Sequence, residues 1–336
     1  MIPPGKGVRQ GTFHGRLWGT LMQHRWLQWL LRLLATTVVM LWLFTQLDVQ
    51  ELQRVMAAPA VAPLLGMIVV AWLFVLLGGI KFWVLYRALT PVSFSSFIRY
   101  FVVATSLGTF TPASLGDFSL AALLRREHIA VRDSMSVLVL DRALTVSLYA
   151  AVFLPLTLGL LLHVTYVWWV PAGLLVGSTL IVALNAATSV RHLVRCTLMH
   201  SRLAWLVGFL AAMSTLLRQH PWHLLGNTVL TLLRCVTAGV VVQLALWAAG
   251  EWQPFLPVLY TTNAISVLNL FPVSFAGLGV YEGGGVAILS QLGFDRERVF
   301  TALVYQRLYV ILYSLLILLV SRAILTCIVP AKEEQS

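Results

Sequence analysis

The chain has 336 residues, of which 59% are hydrophobic and only 10% are charged, and its mean hydropathy is +0.87. Soluble domains are nearer half apolar and a quarter charged, so this composition excludes an ordinary soluble protein and predicts an all-α, polytopic membrane protein. The apolar runs are long and do not alternate, which excludes membrane-spanning strands. The formal net charge of +11 does not indicate nucleic-acid binding, because the basic residues cluster beside the apolar runs. There they set topology and attract anionic lipid headgroups.

Six apolar stretches are long enough to cross a bilayer as helices. They lie at about 29–47, 60–82, 134–162, 166–187, 224–249 and 299–325. Two further apolar segments, at about 94–110 and 255–270, are interrupted by proline and glycine and then continue into a short helix. We predict that both are re-entrant hairpins in a helical bundle.

The predicted parts of the chain are a basic cytoplasmic arm at 1–28, one transmembrane domain at 29–326 and a cytoplasmic tail at 327–336. The transmembrane domain divides into inverted-repeat-like halves at about 60–162 and 224–325. An interfacial basic segment at 190–221, with an amphipathic helix near 203–217, joins the halves. The basic residues place both termini in the cytoplasm. Eight full crossings are the alternative, but they would place Arg191, Arg195 and Arg202 outside.

The two interruptions carry the candidate site residues. They are Pro112, Gly116 and Asp117 in the first, and Pro272, Ser274, Gly277, Gly279 and Glu282 in the second. Proline cannot continue a helix, and glycine adopts backbone conformations that other residues resist. A helix broken at membrane depth is tolerated only where it is buried in protein or lines a wet cavity. Each interruption therefore predicts a site.

The two acids are spaced identically from an arginine in the following span. Asp117 lies 25 positions before Arg142, and Glu282 lies 25 positions before Arg307. Paired interrupted segments in two inverted halves indicate the substrate site of a transporter. The acids could instead cap helix N-termini or form buried ion pairs with arginines. In the functional interpretation, the arginines and the free N–H groups of the half-helices bind an anionic headgroup.

Four other charges lie within or near the apolar spans. Asp141 precedes Arg142, so the two side chains point about 100° apart on a helix and need not pair. Arg234 lies in the middle of a span. We expect it to be a structural counter-ion to Asp141 or Asp117 more than a residue that contacts the ligand. We expect Lys81 and Arg99 to extend toward headgroups at the span ends. The three cysteines match no metal spacing and no nucleotide or hydrolase motif occurs, so we expect no cofactor and no metal.

At these residues the chain resembles the integral-membrane, flippase-like domain of lysylphosphatidylglycerol synthases, from about Arg32 to Leu325. The segment from Pro272 to Glu282, followed by Arg307, is similar to the family's Pro-x-Ser-x-Gly-Gly-Leu-Gly-x-x-Glu pattern and later arginine, with Ala276 in place of one glycine. The segment from Pro112 is similar to the family's Pro-Gly-x-x-Gly-Asp/Glu-x-x-Arg, with Ala113 in place of a glycine and Leu120 in place of the arginine.

The resemblance implies movement of a polar phospholipid or isoprenoid lipid, with an anionic or zwitterionic headgroup, between leaflets. The sequence has no counterpart of the synthases' soluble aminoacyl-transferase domain, so we expect a transporter more than an enzyme. Two alternatives stay open. One is a membrane-embedded headgroup-modifying enzyme with Glu282 or Asp117 as general base. The other is a non-catalytic partner of a soluble lipid-pathway enzyme. The oligomeric state does not follow from the sequence.

Overall fold

The computed structural model describes residues 34, 36–38, 40–90, 92–111, 115–127, 129–164, 220–267 and 279–326, and for residues 89, 115–117, 132 and 322–326 the backbone alone. Within these ranges all regular secondary structure is helical, as predicted. The predicted span at 166–187, the amphipathic helix, the N-terminal arm and the C-terminal tail lie outside the described residues. Of the predicted span at 29–47, the described residues 40–45 are helical.

The helices are numbered here in chain order. They are α1 (Val49–Ala57), α2 (Val61–Leu89), α3 (Phe94–Phe110), α4 (Leu115–Leu124), α5 (Val131–Leu148), α6 (Leu154–Leu161), α7 (Pro221–Ala248), α8 (Phe255–Ser266), α9 (Val280–Gln291) and α10 (Arg296–Thr326). A π-helical turn, Tyr149–Phe153, joins α5 and α6 into one rod. Four rods are long and apolar enough to cross a membrane: Val61–Ala88, Asp133–Leu161, Pro221–Ala248 and Arg296–Ser321. They match four of the six predicted spans.

Local sequence sets the junction between α2 and α3. Thr90 is extended, at φ −145° and ψ 137°, because a residue before proline avoids the helical region and Pro91 follows it. Ser93 then caps α3, since its side-chain oxygen accepts a hydrogen bond from the N–H of Ser96 at 3.3 Å. The chain therefore reverses within a few residues and does not continue as one rod.

The described helices follow the same order twice. A long rod, two shorter helices and a second long rod occur as α2–α3–α4–α5/α6 and again as α7–α8–α9–α10. The equivalent rods α2 and α7 run antiparallel. The N–H of Ala60 donates to the carbonyl of Ala248 at 2.9 Å, and the amide of Asn227 donates to the carbonyl of Lys81 at 3.2 Å. The two halves therefore have opposite orientations.

Helices α3 and α4 form an antiparallel hairpin. The Tyr100 hydroxyl, near the start of α3, donates to Glu127 at 3.3 Å, just beyond the end of α4. Ser119 donates to the carbonyl of Ala104 at 3.5 Å, in the middle of the hairpin. Helices α4, α8 and α9 have 10, 12 and 12 residues, which is at most about 18 Å at 1.5 Å per residue. Each is too short to cross a hydrocarbon core of about 30 Å.

The rods end in two groups of charged residues, named here the acidic end and the basic end. At the acidic end, the N–H of Asp48 donates to Glu297 at 3.1 Å and Arg298 donates to the carbonyl of Gly250 at 2.8 Å. The described ionisable residues there include Asp48, Glu51, Arg54, Glu251, Asp295, Arg296, Glu297 and Arg298. At the basic end they include Arg87, Arg125, Arg126, Glu127, Arg132 and Asp133. At the basic end, the Tyr86 hydroxyl of α2 donates to the carbonyl of Ser134 in α5 at 3.2 Å.

Gly239 allows α7 and α8 to pack closely. A Cβ at this position would lie 2.8 Å from Cδ1 and 3.1 Å from Cα of Leu259, and the Cα cannot rotate away. We expect Gly239→Val to lower the free energy of unfolding by about 1–3 kcal/mol or more, because the helices must separate. Thermal unfolding in detergent would measure this effect. The control is Gly66→Ala, whose Cβ would meet Leu244 at an ordinary 3.6 Å. Equal melting temperatures for the two variants would contradict the prediction.

Candidate lipid-headgroup site

Glu282 and Arg307 form an ion pair between α9 and α10. Oε1 of Glu282 accepts from Nε of Arg307 at 2.9 Å and from Nη2 at 2.8 Å. The second carboxylate oxygen, Oε2, accepts from the N–H of Gly279 at 2.7 Å. Gly279 has φ +81°, a conformation that favours glycine, and so the chain can turn into α9 at this point. Glu282 thus caps a helix N-terminus and also pairs with an arginine.

The Glu282–Arg307 pair lies deep in the transmembrane region, and its arginine is partly exposed. Arg307 is eleven residues after Arg296, about 16 Å along α10 from the acidic end. The side chain of Glu282 is 3% exposed, whereas that of Arg307 is 24% exposed. An ion pair that only held the bundle together would not require an accessible guanidinium. Part of the Arg307 side chain is thus exposed at membrane depth.

An apolar groove of about 410 Å³ runs between α2 and α10. Its α10 side includes Leu308, directly after Arg307, and continues along Leu312 and Leu316, which are 47%, 64% and 55% exposed. On the α2 side, Trp72 contacts Tyr313 edge to face, with ring centroids 4.7 Å apart. Arg307 itself does not line the groove, because successive residues of a helix point about 100° apart and Leu308 lies on another face of α10.

The structure describes only some of the other predicted site residues. Pro112, Pro272, Ser274 and Gly277 lie outside the described residues, and for Gly116 and Asp117 only the helical backbone of α4 is described. Arg142 lies on α5 with an exposed side chain. The predicted relation between Asp117 and Arg142 therefore stays a prediction.

Asp141 has a different partner from the one predicted. Its Oδ1 lies 3.0 Å from Nζ of Lys81 and also accepts from Nδ2 of Asn227 at 3.0 Å. Nζ of Lys81 donates to the Thr145 hydroxyl at 3.1 Å. The lysine and aspartate side chains are 1% and 2% exposed. The prediction that Lys81 extends to headgroups is wrong, and so is the pairing of Asp141 with Arg234.

Arg234 packs against aromatic and small residues of α2. Its guanidinium carbon lies 4.1 Å from the ring centroid of Phe74, a cation–π contact, and its Nε lies beside Gly78. Within the described ranges this Nε is buried and has no hydrogen-bond partner. The described contacts of Arg234 are thus aromatic, and its part in headgroup binding stays a prediction.

The sequence does not indicate the buried position of Lys81, because the apolar run alone ends near Phe82. With the span ending there, Lys81 is a terminal residue. The helix continues to Leu89, so Lys81 lies eight residues, or about 12 Å, from its end. A lysine inside a span of this length indicates a buried partner. The described residues hold no group of three or more His, Cys, Asp or Glu side chains that could bind a metal ion.

The four apolar rods, the repeated order of helices and the buried ion pairs define a polytopic α-helical membrane protein. Residues 29–317 match the family described as the lysylphosphatidylglycerol synthase TM region. This match covers most of the chain, so the protein belongs to that family. The comparison with curated proteins gives no match.

Proposed function

We propose that the protein moves a polar lipid between the leaflets of a bacterial inner membrane. The observation that carries the proposal is the Glu282–Arg307 pair, which places a partly exposed guanidinium about 16 Å from a helix end. Ionisable residues inside a bilayer are costly and are usually functional. The lipid phosphate would bind Arg307, while Glu282 holds the arginine in place and keeps the empty site neutral.

The depth of Arg307 supports a lipid over a soluble anion. Arg307 lies about 16 Å along α10, and another face of the same helix exposes Leu308, Leu312 and Leu316. A headgroup bound at this depth would therefore leave its tails in apolar surroundings. An anionic or zwitterionic phospholipid fits this arrangement, since both carry a phosphate.

The topology in this proposal has six crossings and two re-entrant hairpins. Helices α4, α8 and α9 are too short to cross alone, which supports hairpins at 94–124 and 255–291. The surplus of arginines at the basic end supports a cytoplasmic location for that end, by the positive-inside rule. The two hairpins then enter from opposite sides, because the halves are inverted.

Lipid movement in proteoliposomes tests the proposal. Purified protein would be reconstituted with fluorescent phospholipids, and the fraction reached by a membrane-impermeant quencher would be followed over time. We expect Arg307→Ala to slow movement about tenfold or more, because a hydrogen bond to a charged group is worth about 1.5–3 kcal/mol. The control is Arg296→Ala, at the exposed start of the same helix.

Two outcomes would contradict the proposal. One is wild-type movement by a folded Arg307→Ala protein, and the other is no movement of any tested lipid by the wild type. A change in the mass of the labelled lipid would instead indicate a headgroup-modifying enzyme. Capture of a soluble enzyme without lipid movement would indicate a non-catalytic partner.

A further inference from the structure

A second cavity, of about 570 Å³, lies at the basic end where α2 turns into α3. It is separate from the apolar groove between α2 and α10, because it is lined by residues 83–94 and the groove by residues of α10 and the first half of α2. Its lining combines one arginine, Arg87, with the hydroxyl-bearing Thr90 and Ser93 and the aromatic Trp83 and Phe94. We name it the basic-end pocket.

The aromatic residues make a fixed wall. Nε1 of Trp83 donates to the carbonyl of Val92 at 3.0 Å, which fixes the indole across the turn. The Phe94 ring meets the indole edge to face, with centroids 5.3 Å apart at 76°. The Arg87 guanidinium lies over the indole, with its carbon 5.2 Å from the ring centroid. The cation is thus held by a cation–π contact and remains exposed.

The charge of this pocket is not balanced by a nearby acid. In the part of the chain that the structure describes, no carboxylate forms a salt bridge with Arg87, in contrast to Arg54, Arg298 and Arg307. The Thr90 hydroxyl is buried there without a hydrogen-bond partner among the described residues. The pocket therefore offers a positive charge and an unused hydroxyl next to an apolar surface.

The depth of the pocket matches the headgroup region of a bilayer. Arg87 and Trp83 lie two and six residues before the end of α2, or about 3 and 9 Å from it. Tryptophan is enriched at this level because its ring is apolar and its N–H is polar. A phosphate could reach Arg87 from the leaflet while the attached chains pass along Phe94 toward the hydrocarbon.

We propose that the basic-end pocket binds the phosphate of an anionic phospholipid from the surrounding leaflet. Arg87 pairs with the phosphate, and the Trp83 and Phe94 rings contact the glycerol and upper chain. This site does not require the protein to move lipid. It is occupied whether or not the Glu282–Arg307 pair takes part in transport.

Photo-crosslinking tests the proposal on the full chain in proteoliposomes. The probe is phosphatidylglycerol with a diazirine close to the headgroup, and labelled peptides are identified by mass spectrometry. We expect labelling of the peptide that contains residues 83–94, reduced about fivefold or more in Arg87→Gln, a factor that corresponds to about 1 kcal/mol. Arg126→Gln is the control, since Arg126 is exposed at the same end but does not line the pocket.

Competition separates a lipid from a soluble phosphate. Unlabelled phosphatidylglycerol should suppress the labelling, whereas glycerol 3-phosphate at the same concentration should not. The double variant Glu282→Gln with Arg307→Met, which leaves no buried charge unpaired, should keep the labelling, so failure of the transport proposal and failure of this one give different results. Equal labelling in Arg87→Gln and Arg126→Gln, or suppression by glycerol 3-phosphate, would overturn the proposal.

Discussion

Asp141→Asn is expected to destabilise the protein by about 3–5 kcal/mol, the cost of breaking a buried ion pair by removing one partner. The substitution leaves the Lys81 ammonium in a site where its side chain is 1% exposed. A remaining hydrogen bond to Thr145 does not replace the lost charge. Thermal unfolding in detergent, followed by the loss of monodisperse protein, measures the effect.

The double variant Lys81→Met with Asp141→Asn is the matched control. It removes both charges together, and the amide oxygen introduced at position 141 can still accept from Asn227, so we expect most of the stability to return. Arg54→Met breaks the exposed pair with Glu51, whose members are 76% and 34% exposed, and should change stability by less than about 1 kcal/mol. If Asp141→Asn were no less stable than Arg54→Met, the buried pair would not hold α2 to α5.

Glu282→Gln with Arg307→Met is expected to keep the fold and to slow lipid movement about tenfold or more. The glutamine introduced at position 282 retains an oxygen for the N–H of Gly279, and no charge is left unpaired. The fold should therefore stay within about 1–2 kcal/mol of wild type, because only the ion pair is lost. Movement of fluorescent lipid should fall about tenfold or more, since the phosphate loses a charge-assisted partner.

The two double variants distinguish a structural pair from a functional one. Lys81→Met with Asp141→Asn should move lipid at nearly the wild-type rate, whereas Glu282→Gln with Arg307→Met should not. The physical difference is accessibility, since Arg307 is 24% exposed and Lys81 is 1% exposed. Lipid movement by a well-folded Glu282→Gln, Arg307→Met protein at the wild-type rate would assign the Glu282–Arg307 pair to structure alone.

The sequence predicted the spans well because a membrane selects for apolar length, which is a local property. It also predicted the break before Glu282, where Gly279 takes the positive φ that glycine permits. The partner of Asp141 could not be predicted in this way. Lys81 is 60 positions away, and its choice over Arg234 depends on how α2, α5 and α7 rotate against one another. Sequence spacing carries no information on that rotation.

The apolar groove was not predicted for the same reason. Each of its residues is an ordinary apolar or aromatic residue of a span, and only the packing of α2 against α10 brings Trp72 to Tyr313. The basic-end pocket has a local origin instead. Pro91 and Ser93 impose the turn, so Trp83 and Phe94 come together from neighbouring positions in sequence.

The repeat of helices is not matched by a repeat of charges. The shift of 165 positions that relates Asp117 to Glu282 and Arg142 to Arg307 relates Asp141 to Gln306, and α7 has no lysine. In a protein built from inverted halves, exchanging the conformations of the halves converts an inward-facing form into an outward-facing one. Identical halves would make the two forms equal in energy. Here one half carries the Lys81–Asp141 pair and the other has no counterpart of it. If the protein alternates between two such forms as proposed, this buried pair would make their energies, and so their resting populations, unequal.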